Sequence, residues 1–299
     1  MKKIVICLVM CLFVLVGCQK DEQAPELSLK YNRVQVPVSS DIDYLSYVEK
    51  STDNQDGDMK DKVKYNEIDT SKAGQYQIEY TVQDQAGNET KKTLTVDVVH
   101  FINENLYDPE DIKATVVDNP DDVTVLVNKA YQLPEDWAPN DLEKTIDSGH
   151  MLRKEANQAY SEFYNAAKKK GIEIYTISAY RTKEKQELYW NNQVNVMGKE
   201  HAIMYSAYPR RSEHETGLAI DVCYAPSSDY LNESVKDSDL GKFIESDAYK
   251  YGFILRYPED KVKITNYNYE PWHMRYVGKE LAKTLHEQNI TLDEYYNRG

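Results

Sequence analysis

Four side chains in the second half of the sequence could form a catalytic metal site. The stretch SEHETGLAID places His214 and Asp221 seven positions apart, with a glycine between them. The stretch NYNYEPWHMRYVG adds His273 and, three positions before it, Glu270. A catalytic zinc site takes three protein ligands, typically histidine or carboxylate, and keeps one position open for water. His214, Asp221 and His273 could supply such ligands, and Glu270 is near enough to act as a general base.

Each half of this pattern is weak by itself. A lone His214 is more often a surface residue than a ligand, and EPWH could simply place its tryptophan in the core. The apolar LAI before Asp221 predicts a buried strand, where an unpaired carboxylate is costly and metal coordination removes that cost. Pro271 favours an extended Glu270, so Glu270 and His273 do not share a helical face as in HExxH. Only the two stretches together favour a metal site.

The start of the sequence predicts export. MKK is a basic segment, and residues 4–17 form an apolar run of fourteen residues, which is shorter than the roughly 18 expected of a spanning helix. LVGC resembles a bacterial lipobox. This resemblance implies a signal peptide over residues 1–17, a lipid on Cys18 and a protein anchored at the extracellular face of the cell membrane. An uncleaved N-terminal anchor helix is the alternative.

Cysteine content and net charge indicate whether the protein has disulfides and which partners it could bind. Cys7 and Cys11 leave with the signal and Cys18 carries the lipid, so Cys223 has no intramolecular partner and no disulfide is expected. Without the two lysines of the signal, the 36 basic residues become 34 against 50 acidic ones, a formal net charge of −16. This balance argues against nucleic acid as a partner. Nothing in the sequence indicates more than a monomer.

Residues 25–99 have the pattern of an all-β domain. SLKYNRVQVPV, YQIEYTVQD and KKTLTVDVV are rich in β-branched and aromatic residues, and Leu94, Val96 and Val98 alternate on one face. The turn segments DNQDGD, SKAG and QAGN separate them. The region resembles a bacterial immunoglobulin-like sandwich, which would serve as a spacer or wall-adhesion unit. We interpret DNQDGD as a solvated turn; a calcium loop is the alternative, although its spacing does not match a complete EF-hand.

Residues 100–121 are acidic and without clear period, which indicates a linker, and residues 122–299 indicate an α+β domain. A helical pattern that stops at Gly171 includes Met151, Ala156, Ala159, Phe163 and Ala167. IEIYTISAY, LAIDVCY and FILRY are predicted strands, while KEKQELYWNNQ and SDLGKFIESDAYKYG, the latter ending at Gly252, are predicted helices. Helices and strands mix without βαβ regularity, which favours the α+β class.

SEHETGLAID and YEPWHMRYVG resemble the two motifs of the VanY-type D-alanyl-D-alanine carboxypeptidases, zinc peptidases of the LAS group with a hedgehog-like fold. The resemblance continues through LVNKAYQLPEDWAPNDL, ISAYRTKEKQELYW and AYKYGFILRYP, and so covers nearly all of residues 125–290. It implies that Zn²⁺ is the cofactor, with His214, Asp221 and His273 as its ligands and Glu270 as the catalytic base.

The resemblance also implies the residues that meet the substrate. Arg181 matches an arginine that contacts the substrate near the scissile carbonyl, and Gln186, Ser206 and Ser212 fall where family members contact the terminal residue. The sequence departs from the family at YPRRSEH, where two arginines stand near a position, Arg210, at which relatives are expected to carry a glycine. The shape of the substrate-side loop is therefore not predicted.

The activity that the resemblance implies is zinc-dependent removal of the C-terminal D-alanine from peptidoglycan stem peptides. Two alternatives stay open. An L,D-carboxypeptidase that acts on tetrapeptide stems uses the same ligands, base and arginine, so the sequence does not separate it. A non-catalytic zinc-bearing wall-binding module would have no need of Glu270 and Arg181.

Overall fold

The computed structural model describes residues 21–297 apart from residues 100, 104 and 105. The predicted signal peptide and Cys18 therefore lie outside the described residues. Within these residues, no helix combines the length and the apolar character needed to span a membrane.

The first part of the chain is a sandwich of two sheets that share one apolar core. Its strands are β1 (Glu26–Leu29), β2 (Arg33–Pro37), β3 (Val48–Asp53), β4 (Gly57–Asp58), β5 (Lys64–Tyr65), β6 (Gly74–Gln83) and β7 (Glu89–Val99). One sheet has the order β1-β3-β4, and the other has the order β2-β7-β6-β5 with β2 parallel to β7. Leu94, Val96 and Val98 alternate along β7 and are fully buried in the core. The predicted all-β sandwich is confirmed.

The segment predicted as a linker has structure of its own. It contains β8 (Phe101–Asn103), β9 (Leu106–Tyr107), a 3-10 turn at Pro109–Asp111 and β10 (Thr115–Val116), which pairs in parallel with β11 (Tyr131–Gln132). Pro109 and Ile112 are buried, and the Arg211 guanidinium donates to their carbonyl oxygens at 2.5 and 3.1 Å. The segment is thus held against the second part of the chain by a side chain distant in sequence. The exact domain bounds stay a prediction.

The second part is an α+β domain around one antiparallel sheet. Its further elements are β12 (Leu142–Lys144), β13 (Met151–Arg153), α1 (Lys154–Lys169), β14 (Tyr175–Ser178), α2 (Lys183–Met197), α3 (Lys199–Tyr205), β15 (Ala219–Cys223), α4 (Asp239–Asp247), β16 (Phe253–Leu255), α5 (Val262–Thr265), β17 (His273–Tyr276), α6 (Lys279–Gln288) and α7 (Leu292–Asn297). The sheet order is β14-β15-β17-β16. The apolar face of α1, with Tyr160 and Phe163, packs in one core with Ile220 and Val222 of β15 and Met274 of β17.

Two predicted helix bounds differ from the structure. Met151 belongs to β13, where it pairs with Lys144, and α1 begins only at Lys154. Apolar residues three to five apart do not reveal where a strand gives way to a helix. The helix predicted to end at Gly252 is α4 followed by a separate 3-10 turn. Gly252 has a φ of +88°, and a side chain there would approach the Tyr276 ring to 2.7 Å, so this stop requires glycine.

Arg33 joins the two parts of the chain. Its guanidinium binds the fully buried Asp97 through two contacts of 2.6 and 3.0 Å within the sandwich. The same group donates to Thr115 Oγ1 and to the Ala130 carbonyl, both at 3.0 Å, and lies over the Tyr131 ring. The arginine of one buried ion pair therefore also supplies two of the hydrogen bonds that cross the boundary.

Candidate active site

The sheet brings Asp221 and His273 together. They are direct partners on the antiparallel strands β15 and β17, so their side chains project from the same face. His214 reaches that face from a 3-10 turn, Glu213–Thr216, which Gly217 ends with a φ of +69°. A Cβ at Gly217 would also lie 2.9 Å from Arg153 Cγ, so the turn that aims His214 depends on glycine.

His214, Asp221 and His273 form a buried cluster of ligand atoms. His214 Nε2 lies 3.2 Å from Asp221 Oδ2, and His273 Nδ1 lies 3.0 Å from Asp221 Oδ1. One ligand atom from each of the three residues lies within 4.8 Å of the others. Two imidazoles and a carboxylate at this spacing fit a divalent transition metal such as zinc.

The hydrogen bonds behind the histidines fix which nitrogens face the cluster. His214 Nδ1 is 2.7 Å from the Ala179 carbonyl oxygen, which can only accept, so Nδ1 carries the proton and Nε2 presents its lone pair. His273 Nε2 lies 3.4 Å from Glu213 Oε2, which leaves Nδ1 toward Asp221. Metal-binding histidines are usually oriented by such partners on the far nitrogen. The donor set thus fits a metal in its orientation as well as its composition.

Burial and the neighbouring charges set the protonation of the cluster. Burial opposes ionisation of Asp221, but His214 and His273 outweigh it and hold its pKa well below the ordinary value. Burial, reinforced by Arg181, lowers the pKa of His214 to about 4, which keeps this imidazole neutral. His273 is buried too, but its hydrogen bonds to Asp221 and Glu213 raise its pKa to about 9. The concentration of negative charge around His273 is what a bound cation would compensate.

Glu270 lies at the edge of the cluster. Its Oε2 is 3.7 Å from His273 Nδ1, and its backbone carbonyl accepts from the His273 amide at 3.1 Å. Burial raises the pKa of Glu270 to about 8, with the Asp221 carboxylate adding to the effect. A carboxylate whose pKa lies near neutrality is suited to general acid–base chemistry.

The Arg181 guanidinium lies near the His214–Asp221–His273 cluster. Its Nη1 donates to Gln186 Oε1 at 2.8 Å, and its Nη2 lies 3.9 Å from Asp221 Oδ2. Its Nε is buried and has no hydrogen-bond acceptor among the described residues. Gln186 is fully buried and donates in turn to the Ala207 carbonyl at 2.7 Å. The structure thus places Gln186 behind Arg181, where it orients the guanidinium.

These groups open into a single cavity of about 650 Å³. The predicted site residues in its lining are Arg181, Ser206, Ser212, His214, Asp221, Glu270 and His273. The Ser206 hydroxyl is buried without a hydrogen-bond partner in the described part of the chain. Tyrosines 189, 205, 257 and 267, with Trp272, make much of the remaining wall. The cavity combines a metal-binding cluster, a carboxylate and a guanidinium, which is a set suited to peptide hydrolysis.

Comparison with known proteins agrees with this geometry. Residues 149–279 match the VanY family, described as D-alanyl-D-alanine carboxypeptidase, and residues 33–98 match a bacterial surface protein Ig-like domain. The putative carboxypeptidase YodJ of Bacillus subtilis strain 168 is 36% identical over 239 residues, which are 77% of this chain and 81% of that protein. The chain belongs to the VanY family of carboxypeptidases.

Two solved structures extend the comparison. The LdcB LD-carboxypeptidase is 41% identical, with a TM-score of 0.56 over 62% of this chain and 90% of that one. The D,D-pentapeptidase VanY from a VanB-type resistance cassette, solved as a point mutant in complex with Zn(II), is 30% identical, with a TM-score of 0.51 over 58% of this chain and 99% of that one. The predicted fold class, an α+β zinc-peptidase domain behind an immunoglobulin-like sandwich, is confirmed.

Glu213 is a residue of this VanY-family site that the sequence prediction missed. It is buried, and its Oε1 accepts from Arg256 Nε at 2.7 Å and from Arg275 Nη1 at 2.9 Å. Burial opposes its ionisation, but these two guanidinium groups hold its pKa well below the ordinary value. Arg256 also binds Asp293, which closes the network. A signal was present, because the arginine of FILRY directly follows a short apolar strand and the arginine of HMRY lies within a buried strand.

The two arginines of the substrate-side loop in this VanY-family chain, Arg210 and Arg211, both make structural contacts. Arg210 has a φ of +68°, a conformation that favours glycine. This agrees with the expectation that relatives carry a glycine near this position. Its backbone N–H and Nη1 both donate to the buried Glu215, at 2.7 and 2.9 Å, and its Nη2 donates to the Trp137 carbonyl. Arg210 therefore braces the loop from behind, while the neighbouring Arg211 binds the 100–121 segment.

Proposed function

We propose that the chain is a zinc-dependent D-alanyl-D-alanine carboxypeptidase that removes the terminal D-alanine of peptidoglycan stem peptides. The observation that carries this proposal is the convergence of Glu270, the Arg181 side chain and the His214–Asp221–His273 cluster on one cavity. His214 Nε2, His273 Nδ1 and Asp221 would hold the zinc. When bound, zinc supplies a Lewis acid that polarises the scissile carbonyl and makes water more acidic.

The remaining chemistry belongs to side chains of the cavity. The Glu270 carboxylate accepts a proton from the attacking water and returns it to the leaving amine. Burial raises the pKa of Glu270 to about 8. A divalent cation bound next to it would lower this pKa, because opposite charge favours the ionised carboxylate. Arg181 donates hydrogen bonds to the carbonyl oxygen as negative charge develops there. Gln186 keeps the guanidinium in place, and Ser206 and Ser212 face the terminal residue of the substrate.

An L,D-carboxypeptidase that trims tetrapeptide stems is the second candidate. The observation that favours it is the higher identity to the LdcB LD-carboxypeptidase, 41% against 30% for the D,D-pentapeptidase. A purely wall-binding zinc module is the weaker alternative, because such a module has no use for a buried carboxylate beside the cluster or for an arginine in the same cavity.

One experiment separates these functions. The full chain, purified in detergent, is incubated with pentapeptide and tetrapeptide muropeptides, either zinc-loaded or treated with a chelator, and the products are identified by mass. We expect zinc-dependent loss of one alanine from the pentapeptide. Loss from the tetrapeptide alone assigns the L,D activity. If neither peptide is cut while zinc is still bound, the catalytic proposal is wrong and the binding module takes its place.

We also propose that the protein acts as a monomer, held by a lipid on Cys18 at the extracellular face of the membrane. The LVGC sequence and the preceding apolar run support this placement. Metabolic labelling with a fatty acid should mark the wild-type protein and fail in Cys18→Ala. Cys11→Ala is the matched control, because Cys11 lies in the segment predicted to be removed, and it should leave labelling unchanged. Equal labelling of all three proteins would exclude the anchor.

A further inference from the structure

Three aspartates from separate parts of the sandwich meet at one end of it. Asp21 precedes β1, Asp53 ends β3 and Asp84 follows β6. Each offers a carboxylate oxygen, and the three oxygens lie within 4.8 Å of one another. No lysine or arginine of the described chain forms an ion pair with any of these carboxylates. Three negative charges thus share a small volume without a cationic side chain.

Asp53 belongs to this cluster and has one carboxylate oxygen without a hydrogen-bond partner among the described residues. The residue is only 9% exposed. Its Oδ1 accepts from the backbone amides of Gln55 at 2.8 Å and Asp56 at 2.9 Å, which shapes the following turn. Its Oδ2 is buried and accepts no hydrogen bond from the part of the chain that the structure describes. A buried carboxylate oxygen without a donor is costly, unless a ligand compensates it.

Asn88 organises the other two aspartates. Its backbone N–H and its side-chain amide donate to Asp84 at 2.8 and 2.7 Å, and the same amide lies 3.2 Å from the Asp21 carbonyl oxygen. Both carboxylate oxygens of Asp84 are thus held in place by one residue. Asn88 also keeps the segment of Asp21 close to it.

We propose that Asp21, Asp53 and Asp84 bind a calcium ion. All three ligands are carboxylate oxygens, which suit a hard cation, and the cluster offers no nitrogen or sulfur ligand of the kind that zinc selects. The ligands come from three loops far apart in sequence. For this reason the DNQDGD turn alone does not fit an EF-hand loop, although its first residue, Asp53, is a ligand.

The ion ties the start of the described chain to the sandwich. Asp21 lies three positions after Cys18, the predicted site of the lipid. With calcium bound, Asp21 is fastened to β3 and to the loop after β6. The site lies in the sandwich and is separate from the zinc cluster of the proposed function.

Calcium binding is tested on the full, zinc-loaded chain in detergent by calorimetric titration with calcium chloride. We expect one site with a Kd on the order of 10⁻⁴–10⁻³ M, as in extracellular calcium modules, and weaker binding of magnesium. Asp53→Asn should weaken calcium binding at least about tenfold, because it removes one of three charged ligands. Asp61→Asn removes the same charge from an exposed position of the same domain and should bind like the wild type.

Thermal unfolding without calcium shows whether Asp53→Asn has folded. An asparagine oxygen can keep the bonds to Gln55 and Asp56, and the substitution relieves repulsion among the carboxylates. The variant should therefore unfold no earlier than the wild type in calcium-free buffer. Calcium at about 10 mM should raise the unfolding temperature of the wild type and of Asp61→Asn but not of Asp53→Asn. A wild type that does not respond, or an Asp53→Asn that responds equally, would overturn the proposal, whether or not the peptidase activity is found.

Discussion

Glu213 Oε2 lies 3.4 Å from His273 Nε2, on the ring nitrogen opposite the one that faces Asp221. The carboxylate thus stands behind a proposed zinc ligand and is itself held by Arg256 and Arg275. Since the far-side partner of a ligating histidine fixes its tautomer and orientation, Glu213 would act on a bound metal through His273. The arginines make this partner rigid as well as charged.

Glu213→Gln should therefore weaken zinc binding by about 10–100-fold, the usual effect of losing such a partner. The measurement is competition with a chelating dye, followed by activity at saturating zinc, which should recover much of the loss. Glu280→Gln, an exposed change on α6, is the control and should bind zinc like the wild type. Unchanged zinc affinity in Glu213→Gln would show that His273 is oriented by its strand alone.

Glu270→Gln should keep zinc and lose nearly all turnover. The amide has the size of the carboxylate but cannot take a proton, so kcat should fall by at least about 10²–10⁴-fold. Zinc content by atomic absorption and product formation by mass spectrometry are measured on the same sample. Glu259→Gln, an exposed residue of the same charge, is the control. Substantial turnover with Glu270→Gln would mean that another group accepts the proton.

Arg181→Lys should lower kcat/KM by about 10²–10³-fold, the effect of removing one donor to a developing oxyanion. Lysine keeps the charge but not the planar fork, so it cannot bind Gln186 and the substrate at once. Steady-state kinetics on the preferred muropeptide measure the change. Arg153→Lys, which alters an arginine paired with Asp141 outside the cavity, should leave kinetics near the wild type. Equal effects of the two substitutions would point to stability instead of catalysis.

Local sequence patterns predicted the elements that carry the site but not the contacts that link them. Within LAIDVCY, the strand β15 is buried along its whole length, so its apolar character was enough to place Asp221 in the core. The pairing of Asp221 with His273 spans 52 positions, and the motif resemblance supplied it where periodicity could not.

Glu213 and Arg210 escaped prediction for different physical reasons. Glu213 acquires its role from arginines on two other segments, which only the folded chain brings together. Arg210 takes a conformation that favours glycine, and the buried Glu215 that stabilises it lies on the turn of His214. In both cases a charged residue is buried because its partner is buried too, which single-residue preferences do not capture.

Arg33→Met should lower the free energy of unfolding by about 3–5 kcal/mol, because it leaves the Asp97 carboxylate buried without its cation. It also removes the hydrogen bonds to Thr115 and Ala130 that cross between the two parts of the chain. Urea titration, monitored by tryptophan fluorescence and circular dichroism, measures the free energy of unfolding. Lys91→Met breaks an exposed pair with Glu79 in the same sheet and should leave the midpoint unchanged. Similar losses in both variants would show that burial of the Arg33 pair adds nothing.

Gly241→Ala tests a close approach of backbones in the peptidase domain. Gly241 lies in α4, where alanine would by propensity alone stabilise the helix by about 1 kcal/mol. A Cβ at this position, however, would lie 2.0 Å from the Val235 carbonyl oxygen and 2.8 Å from Lys236 Cα, and these backbone atoms cannot move aside cheaply. We therefore expect Gly241→Ala to lower the free energy of unfolding by about 1–3 kcal/mol, as at other overpacked sites. The urea midpoint measures this change. Gly149→Ala, whose Cβ would meet no atom within 4 Å, should be close to neutral. A stabilised Gly241→Ala would mean that the segment before α4 yields easily.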